Sequence, residues 1–147
     1  MKMNNIRKII RITVTLILIV AIIPSALVAC KGGIDRDSAK LFIEDFLEVI
    51  AAGDYETAES YLHPDCLIDL EKLAEKLKNN ENIDLGEGIT VEKYTGFSSA
   101  YYDSKVGGSR YAPTIRVSVG DNNAIFTVEV VQNDSGYGIY SFEIDAD

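Results

Sequence analysis

The spacing of apolar residues changes once along this chain, at about Gly88, and this change constrains the fold more than any other feature. Before it, apolar residues recur every three or four positions, which is typical of one buried face of an α-helix. After it, apolar and polar residues alternate, as on β-strands that have one face in a core. The sequence therefore predicts an α+β fold in which N-terminal helices pack on one face of a sheet.

The helical part is predicted to contain three helices. The first follows Asp35 or Asp37, either of which can cap its N-terminus, and Gly53 suits the left-handed backbone conformation that often ends a helix. Its buried face is expected to consist of Ala39, Phe42, Ile43, Phe46, Leu47, Ile50 and Ala51. Asp54 caps a short second helix, and a third covers about residues 66–78.

About four strands are predicted in the alternating part, over residues 89–102, 111–119, 124–132 and 137–144. Short turns rich in Gly, Asn and Asp connect the last three, so consecutive strands must run antiparallel. The side chains expected to face the helices are Ile115, Val117, Val119, Phe126, Val128, Val130, Tyr140, Phe142 and Ile144. One apolar face per strand places the helices on one side of the sheet only.

The first thirty residues have the composition of an export signal. The cations Lys2, Arg7, Lys8 and Arg11 precede an apolar run over residues 12–28, and a small-residue site ends it. A positively charged start, an apolar middle and a small-residue site are the three parts of such a signal. The segment therefore predicts export across a membrane.

The end of this segment, Leu27-Val28-Ala29-Cys30, resembles the lipobox of bacterial lipoprotein signal peptides. In that family the signal is cut just before the cysteine, which then carries the lipid. The resemblance implies a cleaved signal peptide over residues 1–29 and a lipid such as palmitate on Cys30. It also implies a cell-envelope protein held at the extracytoplasmic face of the cell membrane.

The mature chain then divides into two parts. The lipidated cysteine and a short tether cover residues 30–36, and the domain covers residues 37–147. The alternative is an uncleaved anchor, because the apolar stretch from Ile9 is about twenty residues long and could span a bilayer. Pro24 argues against this alternative, since proline interrupts a helix. In both cases the cationic N-terminal end stays on the cytoplasmic side of the membrane, which places the domain outside the cytoplasm.

Loss of the signal makes the remaining chain strongly acidic. Its four cations leave with it, and the formal charge changes from −9 to about −13 over 118 residues. Such a surface repels the phosphate groups of nucleic acids and of anionic lipids. We therefore predict no nucleic-acid partner, and attachment to the membrane through the lipid on Cys30 rather than through a basic patch.

Five stretches of the mature domain suggest a family. They are Ala39-Lys40-Leu41-Phe42, Asp45-Phe46-Leu47, Ala51-Ala52-Gly53-Asp54-Tyr55-Glu56-Thr57-Ala58, Tyr61-Leu62-His63-Pro64 and Gly138-Ile139-Tyr140-Ser141-Phe142-Glu143-Ile144. Their order, an amphipathic helix, a Gly-Asp turn, a Tyr-x-x-Ala helix and a closing strand, resembles the nuclear transport factor 2-like (cystatin-like) cone. The resemblance implies helices on one face of a curved antiparallel sheet of about four strands. It assigns no activity, because this fold hosts isomerases, dehydratases and binding modules alike.

The chain has eight tyrosines and no tryptophan, and its aromatic residues cluster around the first long hairpin. Rings beside Ser and Gly suit recognition, because a tyrosine offers a large contact area at small entropic cost. We therefore expect Tyr94, Tyr101, Tyr102 and Tyr111 to contact a ligand or partner. The alternative is that these rings only cover the sheet.

No chemical motif is as informative. His63 and Cys66 suggest a Cys-His dyad, which needs the imidazole next to the thiolate. Pro64 favours a simpler interpretation, a helix break followed by a cap, with Cys66 packed inward. One histidine and one remaining cysteine give no zinc-ligand spacing, and the turns at 121–123 and 133–135 lack the pattern of calcium loops. We predict no catalytic residue, metal or cofactor.

The sequence thus predicts a membrane-anchored extracytoplasmic lipoprotein that acts as a non-catalytic binding module for a protein partner or small ligand. The alternatives are a small enzyme with an acid-base group inside the cone and an accessory protein of envelope assembly. A filled interior would favour the binding module, whereas an open pocket with a carboxylate of raised pKa would favour the enzyme. The oligomeric state is left open.

Overall fold

A computed structural model describes residues 33–146 of this chain. The predicted signal peptide, Cys30 and the first tether residues lie outside the described residues. The helical elements are α1 (Arg36–Ala51), α2 (Tyr55–Glu59), α3 (Leu70–Lys76), the wider π-type turn Leu77–Glu81 and the 3-10 turn Leu85–Glu87. The first two helices are confirmed where the sequence predicts them.

The strands are β1 (Ile89–Asp103), β2 (Gly108–Val119), β3 (Asn122–Asn133) and β4 (Gly136–Ala146). They form one open, curved sheet in the order β1-β2-β3-β4, and each strand runs antiparallel to the next. The predicted α+β class and the four antiparallel strands are therefore confirmed.

The third helix begins later than predicted. It starts at Leu70 rather than near residue 66, because the Asp69 carboxylate accepts a hydrogen bond from the Lys72 backbone N–H at 3.1 Å. Cys66 lies in the preceding loop and is partly exposed, so the expected inward packing of its side chain is wrong. This loop is held by a turn in which the Cys66 N–H donates to the His63 carbonyl at 2.8 Å.

The core lies between α1 and the face of the sheet turned toward it. The rings of Phe46 and Phe142 meet edge-on with 5.6 Å between their centroids, and Phe142 meets Phe126 in the same way at 5.2 Å. The α1 and sheet residues in this core include Ile43, Phe46, Leu47, Ile50, Ile115, Val117, Val119, Phe126, Val128, Val130, Ile139 and Phe142, and Leu70, Leu77, Ile83 and Leu85 join them from the segments between α2 and β1. The predicted inward faces of α1, β2 and β3 are confirmed.

One extra residue in β4 changes which of its side chains faces the core. Val130 pairs with Ile139 and Glu129 pairs with Ser141, which leaves Tyr140 without a partner in the register. A bulge of this kind shifts the alternation of the strand by one residue. Ile139 is accordingly fully buried and Tyr140 is partly exposed, so the prediction that Tyr140 faces the core is wrong.

The two edges of the sheet are covered differently. On the β4 edge, the His63 N–H donates to the Ile139 carbonyl and the Ile139 N–H donates to the Tyr61 carbonyl, both at 2.8 Å. Within residues 33–146, no segment pairs with the outer edge of β1. β1 is therefore the exposed edge of the sheet.

Candidate functional site

The face of the sheet that turns away from α1 carries small and polar side chains. Because side chains alternate along a strand, Ile115 of β2 enters the core while Ala112 and Thr114 take the opposite face. The register sets Ser98 of β1 beside Ala112, and Thr114 beside Thr127 of β3. Short side chains on neighbouring strands thus leave a depression in this face.

This depression is a groove of about 420 Å³, which we call the open-face groove. It is lined by Phe97, Ser98, Arg110, Ala112, Thr114, Thr127, Glu129, Ser141 and Glu143. A second hollow of about 340 Å³ shares Arg110 and Glu129 with it. Hydroxyl groups and opposite charges around an open groove suit a ligand that is itself polar.

Arg110 is held between two carboxylates in the groove wall. Its Nε atom donates to Asp103 Oδ2 at 3.1 Å and lies 3.6 Å from Glu129 Oε1. Glu129 is fixed in turn, because the Ser141 hydroxyl donates to its Oε2 atom at 3.0 Å. The three charged side chains are only 20–25% exposed, so their positions are set by the sheet rather than by solvent.

Sequence reasoning missed Arg110 and Glu129, because they lie on different strands and meet only through the β2–β3 register. A signal for them does exist in the sequence. Both are charged residues at the polar positions of strands in which apolar and polar residues alternate. Because a hydroxyl or amide side chain suits such a solvent-facing position equally well, this signal does not distinguish them from the other polar residues. Only the pairing of the strands shows that the two charges face each other.

The exposed rings of the molecule lie on β1. Phe97, Tyr101 and Tyr102 are 54%, 69% and 67% exposed, and we call these three residues the aromatic end. The guanidinium carbon of Arg36, at the start of α1, lies 4.3 Å from the centroid of the Phe97 ring. The Arg36 Nη2 atom also donates to the Ser99 hydroxyl at 3.4 Å. The aromatic end therefore lies next to the N-terminus of α1.

The other two tyrosines of the predicted binding set are placed differently. Tyr111 is only 1% exposed and lies with its ring centroid 6.0 Å from that of Phe97. Tyr94 is half-buried, and its hydroxyl donates to Glu44 Oε1 of α1 at 3.0 Å. Burial, and then this hydrogen bond, raise the pKa of Tyr94. Tyr101 and Tyr102 are thus on the surface, whereas Tyr94 and Tyr111 support β1 from the side of α1.

His63 is the one polar side chain in the buried core of the described residues, at 1% exposure. Its Nδ1 atom accepts from the Asp65 backbone N–H at 3.1 Å, so Nε2 carries the proton and donates to Asn133 Oδ1 at 3.0 Å. Both ring nitrogens are therefore occupied by groups other than Cys66. This geometry argues against a Cys-His dyad.

Within residues 33–146, no three His, Cys, Asp or Glu side chains lie close enough together to hold a metal ion. In the same part of the chain, no helix is both long and apolar enough to cross a membrane. No protein-family model, curated protein or solved structure matches this chain.

Proposed function

We propose that this chain is a lipid-anchored extracytoplasmic protein whose domain binds a small polar ligand in the open-face groove. The observation that carries the proposal is the fixed position of Arg110 between Asp103 and Glu129. An immobilised guanidinium beside a carboxylate presents donors and acceptors to one ligand without a large loss of side-chain entropy. The groove volume is typical of small-molecule sites.

The proposed role is binding rather than catalysis. Enzymes of the nuclear transport factor 2-like type keep an acid-base group inside the cone, between the helix and the sheet. In the described domain that space is filled by apolar side chains of α1, such as Ile43 and Phe46, packed against Phe126 and Phe142. The filled interior supports a domain that uses its outer surface.

A cystatin-like cone is part of the same proposal. Two properties of the domain support it: α1 and α2 precede the strands along the chain, and α1 packs on one face of an antiparallel sheet. Attachment to the extracytoplasmic face of the membrane is supported by the export signal and by the resemblance of residues 27–30 to a lipobox.

Ligand binding is tested by nuclear magnetic resonance on the signal-free chain carrying Cys30→Ser. A panel of monosaccharides, amino acids and short hydroxy acids is added to the ¹⁵N-labelled protein. We expect a binding compound to shift the amide signals of Ser98, Thr127 and Ser141, and Arg110→Met to abolish these shifts, because it removes every charged donor of that side chain. Lys93→Met, which removes an exposed cation from β1 outside the groove lining, is the matched control.

Shifts that survive in Arg110→Met, or that map away from the groove, would contradict the proposed site. A complete absence of shifts with the whole panel would contradict the proposed ligand class.

Lipid attachment is tested with the full chain expressed in a bacterium that is fed alkyne-labelled palmitate. We expect the label on the wild-type protein and on Cys66→Ala, and its complete loss in Cys30→Ala together with loss of the protein from the membrane fraction. The two variants each remove one thiol, so they form a matched pair. Label that remains in Cys30→Ala would overturn lipidation at this residue.

A further inference from the structure

We infer that the aromatic end rests on the bilayer surface and holds the domain in one orientation beside its lipid anchor. This inference deepens the proposed function and rests on lipidation of Cys30. The surface that the aromatic end contacts is the interfacial layer of the membrane, where the head groups meet the acyl chains. Three independent observations lead to it: where the chain enters the domain, which rings are exposed there, and how charge is distributed along β1.

The chain enters the described domain directly beside the aromatic end. A methyl group on the Gly33 Cα would lie 3.3 Å from Cδ2 of Tyr101, so the backbone of Gly33 passes against this ring. Cys30 is three residues earlier, and three extended residues span at most about 10 Å. A lipid on Cys30 that is inserted in the bilayer therefore keeps Tyr101 close to the head groups.

The exposed rings suit that location. Phe97, Tyr101 and Tyr102 are each more than half exposed, in a domain whose remaining large apolar side chains are mostly buried. Tyrosine and other amphipathic rings are favoured at the level of the head groups, where the ring leaves water and the hydroxyl stays hydrated. Lipid chains and interfacial rings together give a firmer attachment than either device alone.

The charge along β1 is also suitable. Residues 94–102, Tyr-Thr-Gly-Phe-Ser-Ser-Ala-Tyr-Tyr, carry no ionisable charge at neutral pH, although the mature chain has 13 more acidic than basic residues. Cations lie over two rings of this strand, since the Arg36 guanidinium lies over Phe97 and the Lys40 ammonium lies 5.3 Å from the Tyr94 ring centroid, while the Glu44 carboxylate on α1 accepts from the Tyr94 hydroxyl. This stretch can therefore approach an anionic surface that repels the acidic remainder of the domain.

Contact with the bilayer also accounts for the exposed edge of the sheet. An edge strand with a long uncharged and aromatic stretch, such as residues 94–102 of β1, is prone to pair with other chains when it is left in water. A membrane surface against the aromatic end would hinder the approach of a second strand to this part of β1. Pairing of β1 with β1 of a second copy is the competing arrangement, and the experiment below distinguishes the two.

Because the chain has no tryptophan, a single introduced tryptophan reports its own surroundings. Tyr102→Trp places the probe in the aromatic end. Asp121→Trp places it in the β2–β3 turn, at the other end of a 12-residue strand that is roughly 35 Å long at 3.3 Å per residue. Each full-length lipidated protein is reconstituted into phosphatidylethanolamine–phosphatidylglycerol vesicles with and without brominated acyl chains, which quench nearby tryptophan.

We expect brominated lipid to cause a clear loss of fluorescence from Tyr102→Trp and no loss from Asp121→Trp, with equal thermal unfolding of both variants. If brominated lipid quenched Tyr102→Trp no more than Asp121→Trp in vesicles that carry the protein, the inference would be overturned, whereas anchoring at Cys30 would stand. Failure of the protein to sediment with the vesicles would instead overturn anchoring at Cys30 and the inference with it. A blue shift of Tyr102→Trp that is independent of bromine and accompanied by dimer cross-links would assign the surface to a second copy and overturn the inference.

Discussion

At the scale of single residues, Asn133 joins three separate turns. Its Oδ1 atom accepts from His63 Nε2 at 3.0 Å, from the Ser135 N–H at 2.9 Å and from the Gly136 N–H at 3.2 Å. Its Nδ2 atom donates to the Val106 carbonyl at 2.8 Å. One amide side chain thus connects the loop after α2, the β1–β2 turn and the β3–β4 turn, and it accepts the hydrogen bond of the buried His63 Nε2–H, while the Asp65 backbone N–H donates to Nδ1.

Asn133→Ala is expected to lower the free energy of unfolding by about 2 kcal/mol or more, because it leaves the buried His63 Nε2–H and the Val106 carbonyl without partners. The measurement is urea denaturation followed by circular dichroism. Asn123→Ala, at an exposed position of the same strand, is the control and should change stability by no more than about 0.5 kcal/mol. Equal effects of the two substitutions would show that the Asn133 network contributes nothing specific.

At the scale of elements, α1, α2 and α3 each begin after an aspartate whose carboxylate accepts a hydrogen bond from the first turn. At α2, the Thr57 hydroxyl donates to Asp54 Oδ2 at 2.7 Å and the Thr57 N–H donates to Oδ1 at 3.0 Å. The side-chain bond and then the backbone bond hold the pKa of Asp54 below its ordinary value of 3.8. As the pH falls, the Asp54 carboxylate is therefore protonated in the unfolded chain before it is protonated in the folded one. The stabilisation that the cap gives is fully present above pH 3.8 and is lost as the pH falls through the lowered pKa.

Asp54→Asn is expected to retain most of the stability at pH 7 and to lose less than the wild type on acidification below pH 3.8. The asparagine amide oxygen accepts the same N–H bond but does not titrate. Urea midpoints at pH 7 and at several acidic pH values measure this difference. Asp121→Asn, which removes a carboxylate from the β2–β3 turn without removing a helix cap, serves as the control. An acid-induced loss as steep in Asp54→Asn as in the wild type would contradict the role assigned to this cap.

At the scale of the whole molecule, the buried face of α1 is a main part of the core that joins the helical layer to the sheet. Phe46 of α1 is fully buried and meets the Phe142 ring edge-on, whereas Leu41 of the same helix is 63% exposed. Phe46→Ala should therefore lower the free energy of unfolding by about 3–5 kcal/mol, and Leu41→Ala by no more than about 0.5 kcal/mol. Chemical denaturation of the two variants measures the contrast. Similar losses from both positions would mean that α1 does not pack on the sheet as described.

The surfaces of the domain differ in chemistry as well as in shape. The face of the sheet turned away from α1 offers hydroxyl groups and the Arg110–Glu129 pair to a polar ligand. The aromatic end is uncharged and lies where the chain enters from the predicted anchor. Phe97 borders both surfaces, so a ligand in the groove would be held close to the membrane that the rings are proposed to contact.

The change of apolar spacing at Gly88 by itself determined that helices precede an antiparallel sheet and which faces of α1, β2 and β3 are buried. Such periodicity follows from backbone geometry, in which side chains repeat every 3.6 residues in a helix and every two in a strand. The sequence also predicts an export signal and lipidation of Cys30, and both remain predictions.

Tertiary structure alone decided which tyrosines are exposed and which charges meet. Tyr111 is 1% exposed with the Phe97 ring beside it, whereas Tyr101 on the neighbouring strand is 69% exposed. Arg110 and Glu129 meet only through strand register, and the bulge in β4 turns Tyr140 away from the core. Burial and pairing between distant residues depend on what each element packs against, and local spacing along a chain does not contain that information.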